Sequence, residues 1–97
     1  MALPAITPYP MPDKGALPRN KADWSPHPDR AVLLVHDLQN YFLGAFPPGT
    51  SPRTELLDNT AHVLGRCREL GVPVVYSAQV GGQTPEERGL QQDFWGP

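Results

Sequence analysis

The run Ala31-Val32-Leu33-Leu34-Val35-His36-Asp37 decides the fold. An unbroken apolar stretch bounded by polar residues, too short for a comfortable helix and without alternation, is the pattern of a parallel strand covered on both faces. In open α/β sheets ligands bind just beyond the carboxyl ends of the strands, so Asp37 stands where an active-site acid would stand. The same position also suits an aspartate that caps a turn through its side-chain oxygen. The run by itself leaves both readings open.

Downstream, Leu38 to Leu43 holds enough leucine and aromatic residues for one helical turn, and Gly44 to Pro52 is a breaker cluster that reads as a long loop. Ser51 fits an N-cap with Pro52 at the first helical position and Glu55 in the first turn, which predicts a helix over about Pro52 to Leu70. Leu57, Ala61, Leu64 and Cys67 recur at helical spacing as its inward face, flanked by Leu56, Val63 and Leu70. Arg53, Asp58, His62, Arg66 and Glu69 take the other side, so Cys67 reads as a core residue and His62 as a surface one. Gly71 ends the helix and Pro73 prevents its resumption.

Val72 to Ala78 is a second β-branched run. Strand, helix and strand in this order make a right-handed βαβ unit with two adjacent parallel strands, which brings Asp37 and Gln79 to one edge of the sheet. Gly81-Gly82 permits a tight turn, and Thr84-Pro85-Glu86-Glu87 is a capping box opening a short helix from Pro85 that carries Arg88. The segment Asp93-Phe94-Trp95-Gly96-Pro97 sets two aromatics against two breakers.

Upstream, prolines recur through residues 1–29 and hold the backbone extended. This is an arm, and residues 30–97 are the domain. A solvated tail is one reading of the arm; Ile6, Tyr9, Met11, Leu17 and Trp24, unusual in a solvated segment, put a second beside it on equal terms, in which it wraps over the domain or a partner subunit. With 97 residues, 39% hydrophobic composition and a net charge of -2, the chain fits one small domain and gives no electrostatic case for nucleic acid or an anionic membrane. The first residues show neither a charged nor an apolar signal region, and no run reaches membrane-spanning length, so a cytoplasmic protein is expected. A single cysteine and three scattered histidines allow no internal disulfide and no structural zinc spacing.

An acid, an amide and a guanidinium along one sheet edge suit a small anionic substrate: Arg88 for a carboxylate, Gln79 for orientation, Asp37 for proton transfer. His36 is not expected to pair with Asp37, because adjacent strand residues point to opposite faces. No phosphate loop, nucleophile elbow or metal-ligating histidine pair occurs.

The segments Ile6-Thr7-Pro8-Tyr9, Asn20-Lys21-Ala22-Asp23-Trp24, Arg30 through Phe42, Pro73-Val74-Val75-Tyr76-Ser77-Ala78-Gln79 and Asp93-Phe94-Trp95-Gly96-Pro97, in this order and register, closely resemble the isochorismatases of siderophore biosynthesis. The resemblance implies a Rossmann-like three-layer parallel sheet of which this chain holds an N-terminal portion. It implies a hydrolase without metal or other cofactor that splits the vinyl ether of isochorismate into pyruvate and 2,3-dihydro-2,3-dihydroxybenzoate. It further implies Asp37 as general acid, Gln79 and Arg88 as substrate-binding residues, and Phe42 and Trp95 as pocket walls. A homo-oligomer and an aryl carrier domain or protein are the partners it brings.

Family members run to roughly twice this length, and their catalytic lysine lies beyond the part matched. Two alternatives stand beside this reading: the amino analogue of isochorismate as substrate, in phenazine-type pathways, and a non-catalytic piece serving subunit interaction. Nicotinamidases resemble the first strand too, but carry metal-binding residues where Ser77-Ala78-Gln79-Val80 stands here. Apolar neighbours (Val35, Leu38, Phe42, Trp95) are expected to desolvate Asp37 and raise its pKa. Two parallel strands cannot bury their faces unaided, so residues 1–97 alone are expected to fold poorly and to be inactive.

Overall fold

The computed structural model describes residues 3–96; Met1 and Ala2 of the arm and Pro97 of the last segment lie outside the described residues. Strand β1 (Leu33–His36) is followed by a one-turn helix α1 (Asn40–Leu43), a loop, the long helix α2 (Arg53–Leu70), strand β2 (Val74–Ser77) and two short helices, α3 (Pro85–Arg88) and α4 (Gln91–Trp95). β1 and β2 pair in parallel, with Leu33 opposite Val74 and His36 opposite Ser77. The βαβ unit is therefore as the sequence predicts, and the fold is α/β. Helix α4 is an addition, carried by a segment whose aromatics and breakers hid its single turn.

The loop before α2 is tied down by side chains. Arg53 Nη1 donates to the carbonyls of Leu43 (3.1 Å) and Phe46 (3.0 Å), and Thr50 Oγ1 donates to the carbonyl of Pro47 (2.7 Å). Arg53 thus turns back onto the loop rather than outward, giving the Phe46 carbonyl its partner and the Leu43 carbonyl, which also accepts Phe46 N–H (3.0 Å), a second donor. The start of α2 also differs from the predicted capping. Pro52 itself occupies the cap position and makes no side-chain cap bond, while Ser51 Oγ donates to Glu55 Oε1 and holds that carboxyl below its ordinary range. At the other end Gly71 adopts φ 72, and Gly71 N–H to Arg68 O (3.3 Å) with Val72 N–H to Cys67 O (2.9 Å) closes the helix in a Schellman pairing.

The arm lies on its own domain at its start, where Ile6 N–H donates to Ala45 O (2.7 Å) and Tyr9 N–H to Ser51 O (3.2 Å). Beyond Met11 it stands away, and Trp24 is exposed.

Among the described residues only Leu43, Ala45, Pro52 and Val72 are buried. β1 is not covered on both faces: Leu33 and Val35 are half-buried, while Leu34 is 54% exposed and its neighbour Val75 in β2 47% exposed. Helix α2 lies against β2 and shields one face of the pair; no described element covers the other. For the same reason Leu57 and Ala61, predicted inward, are exposed, whereas Leu56, Leu64 and Cys67 are half-buried and His62 is exposed as expected. The radius of gyration is 16.9 Å, against about 12.5 Å for a compact domain of this length.

Candidate active site

The parallel register delivers Asp37 and Gln79 to the same sheet edge, one and two residues past the paired ends His36 and Ser77. At Asp37 the backbone leaves the strand with φ 51, a left-handed conformation that aspartate tolerates better than most residues. Asp37 N–H donates to the Ser77 carbonyl (3.1 Å), and the Asp37 carbonyl accepts from Gln39 N–H (3.0 Å), closing a three-residue turn. Gln39 then acts as a surrogate strand: its amide oxygen accepts Gln79 N–H (2.7 Å) and its amide nitrogen donates to Gln79 O (3.1 Å).

The left-handed residue breaks the alternation of the strand. His36 and Asp37 consequently fall on the same side, with His36 Nε2 3.6 Å from Asp37 Oδ2, contrary to the expectation from strand geometry. Ser77 Oγ lies 3.0 Å from Asp37 Oδ1, 3.0 Å from Asp37 N and 2.6 Å from His36 Nδ1. Gln79 Nε2 donates to Asp37 Oδ2 at 2.9 Å.

These contacts reverse the expected electrostatics of the acid. The Gln79 amide, foremost, holds the Asp37 carboxyl below its ordinary range; partial burial pushes upward, and the Ser77 hydrogen bond and His36 add to the lowering. The apolar neighbours are present, but the Asp37 side chain remains 22% exposed, too open for desolvation to win over direct donation to the charged form.

A cleft of about 860 Å³ opens at this edge, and Asp37, Phe42, Gln79, Arg88 and Trp95 all line it. Phe42 packs edge-to-face on Tyr41, centroids 5.3 Å apart. Arg88 ends α3, whose capping box is formed as predicted by Thr84 and Glu87; its Nε donates to Gly96 O (2.6 Å), anchoring one edge of the guanidinium. Trp95 is 68% exposed. Gln39, Tyr41 and Gln91 also line the cleft, beyond the residues the sequence singles out; the available signal is Gln39 standing two residues past a strand-end acid. A second, smaller hollow of about 490 Å³ is lined by Asp23, Trp24, Ser25, His27 and Arg30, away from the strand ends. Among the described residues no group of three His, Cys, Asp or Glu side chains is placed to hold a metal ion, and no helix is long and apolar enough to cross a membrane.

The family model for the isochorismatase domain matches residues 31–97. The chain belongs to the isochorismatase family. It is 56% identical over its whole length to the isochorismatase of Bacillus subtilis, of which it covers 31%, and 52% identical over 98% of its length to the phenazine biosynthesis protein PhzD1 of Pseudomonas aeruginosa, of which it covers 45%. It is also 37% identical over its whole length to enterobactin synthase component B of Escherichia coli, covering 34% of that protein. The chain thus spans between about a third and a half of these family members, and both strand ends that line the cleft fall within the matched isochorismatase segment.

Proposed function

We propose that this chain supplies the acid-bearing edge of an isochorismate hydrolase, within a Rossmann-like sheet completed by further strands. Residues 1–29 are the arm and 30–97 the first part of the hydrolase domain. The observation that carries this reading is the gathering of an acid, an amide, a guanidinium and two aromatic walls around one cleft in a chain of this family.

Asp37 is the general acid. It gives its proton to the methylene carbon of the enol ether, leaving an oxocarbenium ion at the ether carbon; water adds there, and the hemiketal collapses to pyruvate and the dihydrodiol. Arg88 holds a substrate carboxylate through its terminal nitrogens, Gln79 a hydroxyl or carboxylate oxygen, and Phe42 and Trp95 flank the ring. Gln79 has a second part to play. In the free site it donates to the Asp37 carboxylate and keeps it ionised; when it turns to the substrate, Asp37 loses its strongest charge-stabilising contact just as an anionic ligand displaces water. Both changes favour the protonated acid. No cofactor takes part in this scheme. The enzyme is a cytoplasmic homo-oligomer, with an aryl carrier domain or protein as its downstream partner.

The amino analogue of isochorismate is the second reading, favoured by the 52% identity to a phenazine biosynthesis protein. The test is a graft in which residues 1–97 replace the matching segment of the Bacillus subtilis isochorismatase. The graft is expected to release pyruvate from isochorismate, and Asp37→Asn to lower kcat by about 10²-fold or more with KM little changed. An Asp37→Asn graft within about threefold of its parent would assign the proton to another residue.

A further inference from the structure

We propose that Ser77 and His36 act through Asp37 as a proton relay that recharges the general acid after each turnover. The inference rests on the hydrolase reading above and concerns two residues that reading leaves unused.

Hydrogen counting carries it. A serine hydroxyl has one hydrogen to donate and two lone pairs to accept with. Ser77 Oγ is within hydrogen-bond distance of three groups: Asp37 N–H at 3.0 Å, Asp37 Oδ1 at 3.0 Å and His36 Nδ1 at 2.6 Å. The backbone N–H can only donate, so it takes one lone pair. The single hydroxyl hydrogen then goes either to Asp37 Oδ1 or to His36 Nδ1. If it goes to Asp37, His36 must donate from a protonated Nδ1; if it goes to His36, Oδ1 loses its donor. Which imidazole nitrogen carries the hydrogen and whether Oδ1 receives one are thereby linked through one oxygen.

The two ends of this chain face different surroundings. His36 is 69% exposed and Asp37 22% exposed, so the imidazole meets solvent while the carboxyl lies in the cleft. Gln79 and His36 Nε2 also face the carboxyl: the Gln79 amide donates a hydrogen bond but does not titrate, and His36 Nε2, at 3.6 Å, is beyond hydrogen-bond reach, so Ser77 Oγ is the hydrogen-bonded path from imidazole to carboxyl.

The step balances. Spent Asp37 is a carboxylate. Ser77 passes its hydroxyl hydrogen to Oδ1 and takes the Nδ1 hydrogen of the neutral imidazole while Nε2 accepts a proton from solvent, which leaves His36 as its Nε2–H tautomer; exchange with solvent, off Nε2 and onto Nδ1, restores the starting tautomer. The proton that the adding water sheds leaves to solvent, so overall one water is consumed and no net proton.

The graft described above tests this. Ser77→Ala is expected to lower kcat at least threefold with KM unchanged, and its kcat is expected to rise with the concentration of a small buffer acid at fixed pH and ionic strength, while the parent graft shows no such rise. Ser77→Thr, which keeps the hydroxyl, should stay within threefold of the parent. His36→Gln, a change on an exposed side chain, should repeat the Ser77→Ala behaviour and respond to added imidazole. A kcat for Ser77→Ala within threefold of the parent, or a loss that buffer acid does not restore, overturns the relay; the first result would mean that the adding water returns its proton to Asp37 directly. An active Asp37→Asn graft would instead overturn the hydrolase assignment of Asp37, so the two failures are distinct.

Discussion

Residues 1–97 expressed alone are expected not to form a stable monomer. The accessible surface is 8,223 Å², whereas a compact monomer of this size exposes about 5,500 Å². The excess of about 2,700 Å² is as large as an obligate protein interface. It includes the open sheet face at Leu34 and Val75, the outer row of α2 at Leu57, Val63 and Leu70, and the aromatics Phe94 and Trp95. Both strands also present a free edge among the described residues, and exposed edges recruit other strands. Sedimentation should show self-association, near-UV circular dichroism little fixed aromatic environment, and heating no cooperative transition. A sharp two-state melt of a monomer with native-like near-UV signal would refute the reasoning, since it would mean that four buried residues suffice.

Within the graft, Arg53→Ala should destabilise by about 2 kcal/mol in urea unfolding, because hydrogen bonds from a charged donor are worth that order, and it should raise proteolysis of the loop between Leu43 and Thr50. Gly71→Ala should cost about 1 kcal/mol through its φ of 72 alone, as a Cβ there meets nothing within 4 Å; Gly71→Asn should cost less. Gln79→Leu should raise the Asp37 pKa, read by carboxyl carbon NMR, because it removes the foremost contact that lowers it. The sign for stability follows: a carboxyl lowered in the folded state stabilises above its unfolded pKa, and that contribution fades as pH falls through the folded value. The acid limb of the unfolding curve should therefore flatten in Gln79→Leu, and an unchanged limb would contradict the assignment.

The elements with strong local signals were legible: β2 and α3, the Gly71 stop, the parallel pairing and hence the shared edge of Asp37 and Gln79. Burial was not, because an apolar run states what a strand needs and not what is present to cover it; Leu34 is exposed for that reason. Helical periodicity places Arg53 outward, since it carries no information on the carbonyls of a loop folded back on the helix start.

The instructive failure is at Asp37. Period-two alternation holds only while φ stays in the extended region, and the first residue past β1 leaves it at φ 51. That one dihedral puts His36 and Asp37 on the same side, brings the Asp37 N–H and carboxylate together onto Ser77 Oγ, and turns the carboxylate into reach of Gln79. The sequence held a hint, since aspartate is one of the few side chains that accept left-handed backbone. The turn and the acid, rival explanations of Asp37 on sequence alone, are therefore one feature: the backbone geometry of the turn is what assembles the donors that set the charge on the acid.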